Sequence, residues 1–593
     1  MRRHNLLRLD KELGEGSLMG RQVVGEVLSA ALLALLCASS SLAQTASQVT
    51  PDFEPQRTGT GQALVFSGAP GLRAPEGAEA LVVALANVVV EGGKPELEQQ
   101  TAQIRAALTG RRVSVAEIFE RARDLEAAYA DAGYVLVRVV VPAQTLNDGG
   151  TLRLTVVDGF LERLDAQGVP EPVRSRVVAL VEPLLRRPDV TLAEIERRLL
   201  LAGDTPGVAL RTALASGAEP GGAVLVVSAD FDPVMPFIAI DNTLPKSLGT
   251  WSVTAGLDIN NFFNSGEVLY FRAVGHPRFN GDDDLYGIFD DDPQYRSLTA
   301  GGIVPLGNSG LAFNLEGTLT QTTPESTLGI QTSSRFERLS ARLDYPLVRS
   351  RALDLNVGLV FDVQNEYQDL ITGVGDFGIS EDRLRILRLT GDGAWSSDFG
   401  LLTAAATLSF GLDALGARSA DDATPGLPLS RQGADATFQK LELELGYYQT
   451  LAPHLAVSVS GKAQTSFGDP LLRSEQIGIA SLDELSTFDA GSLTGDSGWV
   501  VRAEASAPFD ISTGAINLVA SPYVFGAIGN VYLEQPTVLE EAEINASSLG
   551  LGVRFGASDG KDISSTLTLE YGRAFRDDRP DDDRFTLVGS MRF

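Results

Sequence analysis

The sequence is poor in the residues that most often build metal sites and covalent catalytic sites. It contains one cysteine, Cys37, and three histidines, His4, His276 and His454. A single cysteine forms no internal disulfide and no zinc site made of several thiolates. No nucleophile motif surrounds the histidines, so the sequence disfavours a zinc enzyme or a Ser/His hydrolase. We therefore expect a protein that is not an enzyme and that uses no cofactor or metal.

Positive charge is also scarce. The 593 residues include 48 Lys and Arg against 77 Asp and Glu, which gives a net charge of -29. Because so acidic a protein repels polyphosphate chains, we expect no nucleic acid among its partners. Two acid-rich stretches, 281–292 and 576–583, do not match a calcium-binding loop, and we interpret them as solvated surface loops.

Long apolar runs are missing beyond the N-terminus. No stretch after Ala43 reaches the roughly 18 apolar residues that read as a membrane-spanning helix. Residues 27–37 are apolar but too few to span a bilayer, and small residues follow them up to Ala43. This pattern predicts a signal peptide over 1–43, with Cys37 as part of its apolar core. An exported protein of this kind crosses a membrane only as a closed β-barrel.

Residues 79–231 alternate strand-like and helix-like segments. The order strand, helix, helix, strand, strand occurs twice, in 79–158 and in 159–231. Residues 134–141 and 151–158 read as paired strands of the first unit. The pattern predicts two small α/β modules in series. Residues 44–78, which are rich in Pro, Gly, Ser and Thr, read as a linker in front of them.

Residues 232–593 lose helical periodicity and alternate apolar and polar side chains, with 438–448 as the clearest strand. There Lys440, Glu442 and Glu444 share one face, and we interpret them as solvating a channel. Short connectors take turns with long polar ones, such as a predicted loop at 365–382. A soluble β-sandwich also alternates, but about sixteen strands with short turns at one end only are typical of an outer-membrane barrel. We predict a mostly β fold: a C-terminal sixteen-stranded antiparallel transmembrane β-barrel preceded by two α/β modules.

The C-terminal residues form an amphipathic strand. Phe585, Leu587, Met591 and Phe593 fall on one side of it. An unpaired apolar edge invites aggregation, so we expect this strand to pair with a first strand near 237–242 and to close the barrel. Met591 and Phe593 would then face outer-membrane lipid. A terminal Phe is also the usual assembly signal that the barrel-assembly machinery recognises in its clients.

Several stretches resemble the two-partner secretion transporters of the haemolysin secretion/activation type (ShlB/FhaC/HecB). Residues 133–164 resemble the junction of that family's two polypeptide-transport-associated (POTRA) modules. Residues 258–272, 343–359 and 493–508 resemble its first barrel turn, its middle strands and the end of its sixth loop. The resemblance implies an outer-membrane protein of a Gram-negative bacterium with periplasmic POTRA modules. It would capture an unfolded, β-helix-forming exoprotein and export it through the barrel. An assembly or insertase relative, or a passive barrel channel, is the alternative.

The resemblance also suggests where a client strand docks. POTRA modules offer an open sheet edge to an extended peptide, which adds to the sheet through main-chain hydrogen bonds. The candidate edge in the first module is the predicted strand 134–141, and the alternative is a plain core strand. Its candidate docking residues are Tyr134, Val135, Leu136, Val137, Val139 and Val141.

Loop 6 carries the clearest departure from the family pattern. The family places an Arg in a Val-Arg-Gly-Tyr-like motif on this loop, opposite an Asp in a Phe-x-Asp-x-Gly stretch of the barrel wall. Counting back from Gly495 and Asp496, the motif positions are Leu485, Ser486, Thr487 and Phe488, and the wall positions are Phe525, Ala527 and Gly529. Both charged partners are therefore missing, so we expect no acid opposite Ser486; a misplaced alignment is the competing explanation. The family's N-terminal plug helix is not expected, because Pro and Gly interrupt residues 44–78.

Overall fold

The computed structural model describes residues 44–53, 65–66, 74–277, 292–325, 331–372, 375–514, 516–560 and 563–593. The predicted signal peptide and nearly all of the acid-rich stretch 281–292 lie outside the described residues. Within these ranges, no helix combines the length and the apolar character that a bilayer crossing requires.

The first module is a four-stranded sheet covered by two helices. A short strand, β1 (Val65–Phe66), precedes it. The elements of the module are, in chain order, β2 (Val82–Glu91), α1 (Glu98–Leu108), β3 (Arg112–Ser114), α2 (Val115–Asp131), β4 (Arg138–Val140) and β5 (Gly150–Val157). The sheet order is β3-β2-β5-β4, so β3 and β4 are edges. The Ser114 hydroxyl caps α2 by accepting the Glu117 N–H, and Ile118, Leu125 and Tyr129 are buried against the sheet.

The second module repeats the arrangement without the short strand between its helices. Its elements are β6 (Phe160–Gly168), α3 (Glu171–Val181), α4 (Leu192–Gly203), β7 (Val208–Ser216) and β8 (Gly222–Phe231). Thr191 and Glu194 form a capping box at the start of α4, which satisfies N–H groups at the helix start. The sheet order is β1-β7-β8-β6, with β1 parallel to β7. The chain's own β1 therefore covers one edge of this sheet.

The remaining chain forms a closed antiparallel barrel of sixteen strands, which confirms the predicted fold class. The first eight are β9 (Val234–Asp241), β10 (Ser252–Asn260), β11 (Val268–Gly275), β12 (Tyr295–Pro305), β13 (Ala312–Thr322), β14 (Gln331–Arg349), β15 (Leu353–Thr372) and β16 (Gly375–Ser397). Next come β17 (Gly400–Gly411), β18 (Gln439–Ala452) and β19 (Leu455–Thr465), and then two short strands in the following loop, β20 (Ile477–Gly478) and β21 (Thr494–Gly495). The last are β22 (Ser497–Ser506) with its continuation β23 (Phe509–Asp510), β24 (Asn517–Tyr532), β25 (Glu543–Ser558), β26 (Ser564–Arg576) and β27 (Asp582–Arg592).

The barrel closes where the sequence predicts. Strand β27 pairs with β9 from Val588 opposite Asp241 to Arg592 opposite Phe237. Beyond the paired residues, the Phe593 N–H donates to the Pro236 carbonyl (3.1 Å). The terminal strand therefore has hydrogen-bonded neighbours on both sides and leaves no open edge.

The predicted long loop at 365–382 is wrong. Strands β15 and β16 continue through it and leave only residues 373–374 between them. The polar residues that suggested a loop are strand residues, and some of their side chains, such as those of Glu366, Gln368 and Ser380, are buried inside the barrel. Polarity in this region reflects a wet lumen, not a loop.

Contacts with the second module identify the two ends of the barrel. Arg349, the last residue of β14, forms ion pairs with Asp204 of the module (2.6 Å) and with Asp354. Arg176 of α3 donates to the Gly307 carbonyl (2.8 Å) in the turn after β12. The short turns thus lie beside the modules, and the longer connectors lie at the opposite, outer end.

Candidate translocation pore

Loop 6 (residues 466–496, between β19 and β22) folds into the barrel. Its residues Ile477, Ile479, Leu485 and Leu493 form a buried cluster with wall residues of β22, β24 and β25. Ala527 belongs to this cluster, so the wall position expected to lack an acid supports the loop by apolar packing. Neighbouring Gly529 leaves room for the loop, since a Cβ there would lie 3.0 Å from the Ile479 side chain.

The loop tip meets a charged pair on the wall, which corrects the expectation of no acid beside Ser486. The Ser486 hydroxyl donates to Glu570 and accepts from Arg502 (2.9 Å). Arg502 and Glu570 form a buried ion pair of 2.7 Å, and the Tyr523 hydroxyl also donates to Glu570 (2.9 Å). The Arg502 guanidinium lies 3.9 Å from the centre of the Phe525 ring. We call Arg502, Glu570 and Tyr523 the tip clamp.

The sequence pattern missed the tip clamp because its charges stand on other strands. Arg502 lies on β22, directly opposite Ala527 in register, and Glu570 lies on β26. The family motif places one charge on the loop and its partner on β24. A search for inward-facing Arg and Glu along the neighbouring strands would have found both residues.

The other tip residues also contact the barrel wall. The hydroxyls of Thr487 and wall residue Ser548 are hydrogen-bonded to each other. Leu485 is fully buried, and Phe488 packs against the same apolar cluster. Together these contacts hold the tip against strands β22 to β26.

Asp496 ties three loops together. Its carboxylate accepts from Arg431 of loop 5 (residues 412–438), from the Leu471 N–H of loop 6 (3.1 Å) and from the Glu534 N–H of loop 7 (residues 533–542; 2.7 Å). Asp496 is fully buried. A Cβ at the preceding Gly495 would lie 2.7 Å from the Tyr532 carbonyl oxygen, so the close approach to β24 needs glycine. The Gly-Asp pair therefore joins loops 5, 6 and 7 at the outer end.

Lys440 does not solvate the channel, which corrects its interpretation. It is buried, and its ammonium group lies 3.0 Å from the Glu475 carboxylate of loop 6. Glu442 and Glu444 remain more accessible, with Glu442 3.9 Å from Lys462. Lys440 differs from the other two because it lies closest to the loop, where loop 6 covers it.

The first described residues also lie inside the barrel. Residues 44–53 contain a 3-10 turn (Ser47–Val49). Ser47 donates from its N–H and its hydroxyl to Glu366 of β15 (3.0 and 2.9 Å). The Ala46 N–H donates to Ser334 of β14 (3.0 Å), and the Gln48 amide contacts Thr494 of loop 6 (3.3 Å). Residues assigned to a linker thus fill the lumen beside loop 6.

The predicted docking strand 134–141 is largely not a strand. Only Arg138–Val140 pairs with β5, as an edge of the sheet. Val137 and Val139 are buried in the core of the first module, where Tyr134 and Val141 also pack. Leu136 is buried in the core of the second module, against which Val135 packs. These apolar residues suggested one continuous strand, but they pack into two separate cores.

The last strand alternates exposed and buried side chains. Phe585 is exposed on the outer surface, whereas Thr586 next to it is buried. Met591 lies opposite Ile238, which is also exposed on the outer surface. Phe593 follows the last strand residue and is partly exposed.

The closed barrel with two α/β modules at one end defines an outer-membrane barrel with periplasmic POTRA modules. A family model for the haemolysin secretion/activation protein ShlB/FhaC/HecB matches residues 221–555, and one for the ShlB-type POTRA domain matches residues 83–159. The first match covers more than half of the chain, and the chain belongs to this family. The barrel therefore lies in the outer membrane of a Gram-negative bacterium, the modules lie in the periplasm, and the class of function is that of an outer-membrane two-partner secretion transporter.

Individual relatives are distant in sequence and similar in fold. The heme/hemopexin transporter protein HuxB of Haemophilus influenzae is 21% identical over 468 residues, which is 77% of this chain and 78% of that protein. The structure of CdiB from Escherichia coli superposes with a TM-score of 0.66 at 18% identity and covers 88% of this chain and 94% of that one. CdiB from Acinetobacter baumannii gives 0.56 at 16% identity, covering 97% and 98%.

Proposed function

We propose that this transporter captures an unfolded exoprotein in the periplasm with its POTRA modules and exports it through a barrel that loop 6 and residues 44–53 close at rest. One observation carries the proposal. Two segments of the chain occupy the lumen, and each is attached to the wall in part by polar side-chain contacts, such as Ser47 with Glu366 and Ser486 with the tip clamp. Such contacts exchange readily with water, so the segments can be displaced while the wall stays closed.

The alternatives fit less well. A passive channel needs an open lumen, and this lumen is occupied. An insertase relative depends on opening the barrel wall, but here Asn242 extends the junction of β27 and β9 by accepting the Leu587 N–H (2.8 Å) and donating to the Phe585 carbonyl (2.9 Å). The role as a translocator rather than an enzyme is supported by His276 and His454, whose ring nitrogens bind backbone carbonyls in separate turns.

For client docking we propose the free edge of β4. Val140 is exposed at this edge, and among the described residues the strand has a neighbour on one side only. An added client strand would extend the sheet through main-chain hydrogen bonds, which ask little of its sequence. The other candidate residues contribute by holding β4 in place, since their side chains pack into the two cores.

The further partners we propose are outer-membrane lipid and the barrel-assembly machinery. Apolar side chains such as Leu445, Val524 and Leu551 are exposed on the outer surface of the barrel, where only a lipid environment suits them. The terminal Phe593 is accessible as an assembly signal in the way its sequence position suggests.

A reversible crosslink tests whether loop 6 must move. The only cysteine, Cys37, lies in the predicted signal peptide, so Thr487→Cys with Ser548→Cys places a single thiol pair between tip and wall. The client is the protein that a deletion strain no longer releases into the medium. We expect the oxidised double variant to stop its release, reductant to restore it, and either single variant to export normally. Normal release from the fully oxidised variant would contradict gating by loop 6.

A further inference from the structure

The base of loop 6 is held quite differently from its tip. Glu475, at the end of a 3-10 turn (Arg473–Glu475), is buried with its carboxylate inside the barrel. Arg388 of β16 binds it with two parallel contacts of 2.7 and 3.0 Å. Lys440 of β18 lies 3.0 Å from the same carboxylate. This bidentate arginine contact with a second cation is the strongest kind of side-chain anchor available to a carboxylate.

The wall cations are themselves fixed in place. Arg388 also pairs with Asp362 of β15 (2.7 Å) and donates to Ser409 of β17 (2.8 Å). Lys440 donates to Gln464 of β19 (3.2 Å) and to the Glu475 backbone carbonyl (3.0 Å). Five neighbouring wall strands thus hold one loop residue through a connected network of buried charges.

Detaching the tip and detaching the base of loop 6 cost different amounts of free energy. At the tip, both charges of the clamp stand on the wall, and the loop contributes the Ser486 hydroxyl and the Glu484 carbonyl, which accepts from Arg502 (3.3 Å). Lifting the tip therefore leaves the Arg502–Glu570 pair intact. The acids on this side of the loop, Glu484 and Asp489, pair with Lys462 and Arg584 but are more accessible than Glu475.

At the base, lifting Glu475 separates an ion pair. Arg388 keeps Asp362, but the only partners that Lys440 keeps among the described residues are neutral, such as Gln464. Leaving a buried charge uncompensated is costly, whereas breaking a hydroxyl hydrogen bond costs much less.

We propose that Glu475 is the loop-borne charge of the loop 6 lock, with its sign reversed relative to the arrangement that the family resemblance implies. Loop 6 carries the acid and the wall carries the cations. The loop therefore pivots on Glu475 while its tip detaches first. Glu475 acts as a positioning residue for the pore, and Arg388 and Lys440 are its partners. This inference rests on the proposed function of loop 6 as the gate.

Glu475→Gln tests the proposal because it removes the charge and keeps the shape. The reporter is Ser474→Cys, labelled by a membrane-impermeant maleimide in purified barrels reconstituted into vesicles. We expect labelling to accelerate about tenfold or more in Glu475→Gln, since the loss of a buried ion pair exceeds the 1.4 kcal/mol of one decade. Open-channel events in planar bilayers should become more frequent in the same variant. Ser486→Ala should change labelling of this base position by about twofold at most, since it releases only the tip.

Glu442→Gln is the matched control, since it makes the same chemical change in a more accessible lumen acid of β18 that lies 3.9 Å from Lys462. Labelling in Glu475→Gln that equals labelling in Glu442→Gln would overturn the proposal. If Glu475→Gln fails to give a heat-modifiable barrel, the labelling rate is measured instead on the double variant Glu475→Gln with Lys440→Gln. This double variant removes both charges of the pair. That double variant should fold and still label fast; slow labelling would count against the proposal.

These readouts require no client. If labelling in Glu475→Gln is as slow as in the control while the Thr487–Ser548 crosslink blocks export, the lock is refuted and the proposed function stands. The opposite pair of results would keep the lock and refute gating by loop 6.

Discussion

Glu570→Gln should destabilise the barrel wall even though the new side chain has the same shape. Glu570 is the acid of the tip clamp and is buried beside Arg502, 2.7 Å away. The amide would still accept from Tyr523, so most of the hydrogen bonding survives. The change therefore isolates the charge and leaves Arg502 buried without its main partner.

The size of the effect follows from what remains around Arg502. Removing one member of a buried ion pair costs about 3–5 kcal/mol. Glu504 lies 3.5 Å from Arg502 and compensates in part, so we expect a loss near 3 kcal/mol, more than a hundredfold in the unfolding equilibrium. Arg502→Met should cost at least as much, because Glu570 has no other cation within salt-bridge distance among the described residues. The double variant should be no less stable than the worse single variant.

A double-mutant cycle on these three variants measures the coupling. The free energy of unfolding is obtained from urea titrations, with heat-modifiable gel migration as the measure of folded barrel. We expect a coupling of about 2–3 kcal/mol. Arg554→Met, which removes a half-exposed arginine 3.2 Å from Glu504, is the control and should cost about 1 kcal/mol or less. Additivity of the Arg502 and Glu570 changes within about 0.5 kcal/mol would refute the clamp.

Deleting residues 79–158 should leave a heat-modifiable barrel in the outer membrane but stop export, since docking and barrel closure use separate parts of the chain; normal client in the medium would refute the docking role. Phe593→Ser and Met591→Ser should lower the amount of assembled barrel, measured by outer-membrane fractionation, and unchanged levels would show that the last strand does not matter as argued. Ser486→Arg places a second cation at the tip clamp and should reduce barrel stability in urea. Ala527→Asp should restore the lost stability, because the new carboxylate lies opposite Arg502 in register. We expect a coupling free energy of about 0.5–3 kcal/mol between the two changes, and strict additivity would mean that positions 486 and 527 do not interact.

The architecture was predictable because it follows from periodicity. The side of a strand that meets lipid is apolar, so the alternation along strands such as 438–448 and the apolar end at Phe593 are visible in the sequence itself. The tip clamp and the Glu475 anchor were not predictable in the same way. They join residues that are far apart in the chain, such as Arg388 and Glu475, and their pairing depends on barrel register and on the path of loop 6.

Loop prediction failed for a related reason. At 365–382 polar residues such as Asn365 and Asp369 alternate with buried polar residues such as Glu366 and Gln368, so neither side of the strand carries the apolar signal. Residues 134–141 show the reverse error, in which apolar residues that serve two cores read as one strand. In both cases the surroundings of the side chains change along the segment, whereas a periodic pattern predicts a strand only where those surroundings stay the same.

Residues 44–53 show what the lumen can hold. They form a short peptide with one 3-10 turn that lies inside the barrel while loop 6 is still in place. The wall grips them partly through backbone N–H groups, those of Ala46 on Ser334 and of Ser47 on Glu366. Every residue except proline offers such a donor. A chain in transit would therefore form hydrogen bonds with the wall mainly through its backbone N–H groups, largely independently of its side chains. Proline-rich stretches would bind the wall least, because proline has no backbone N–H.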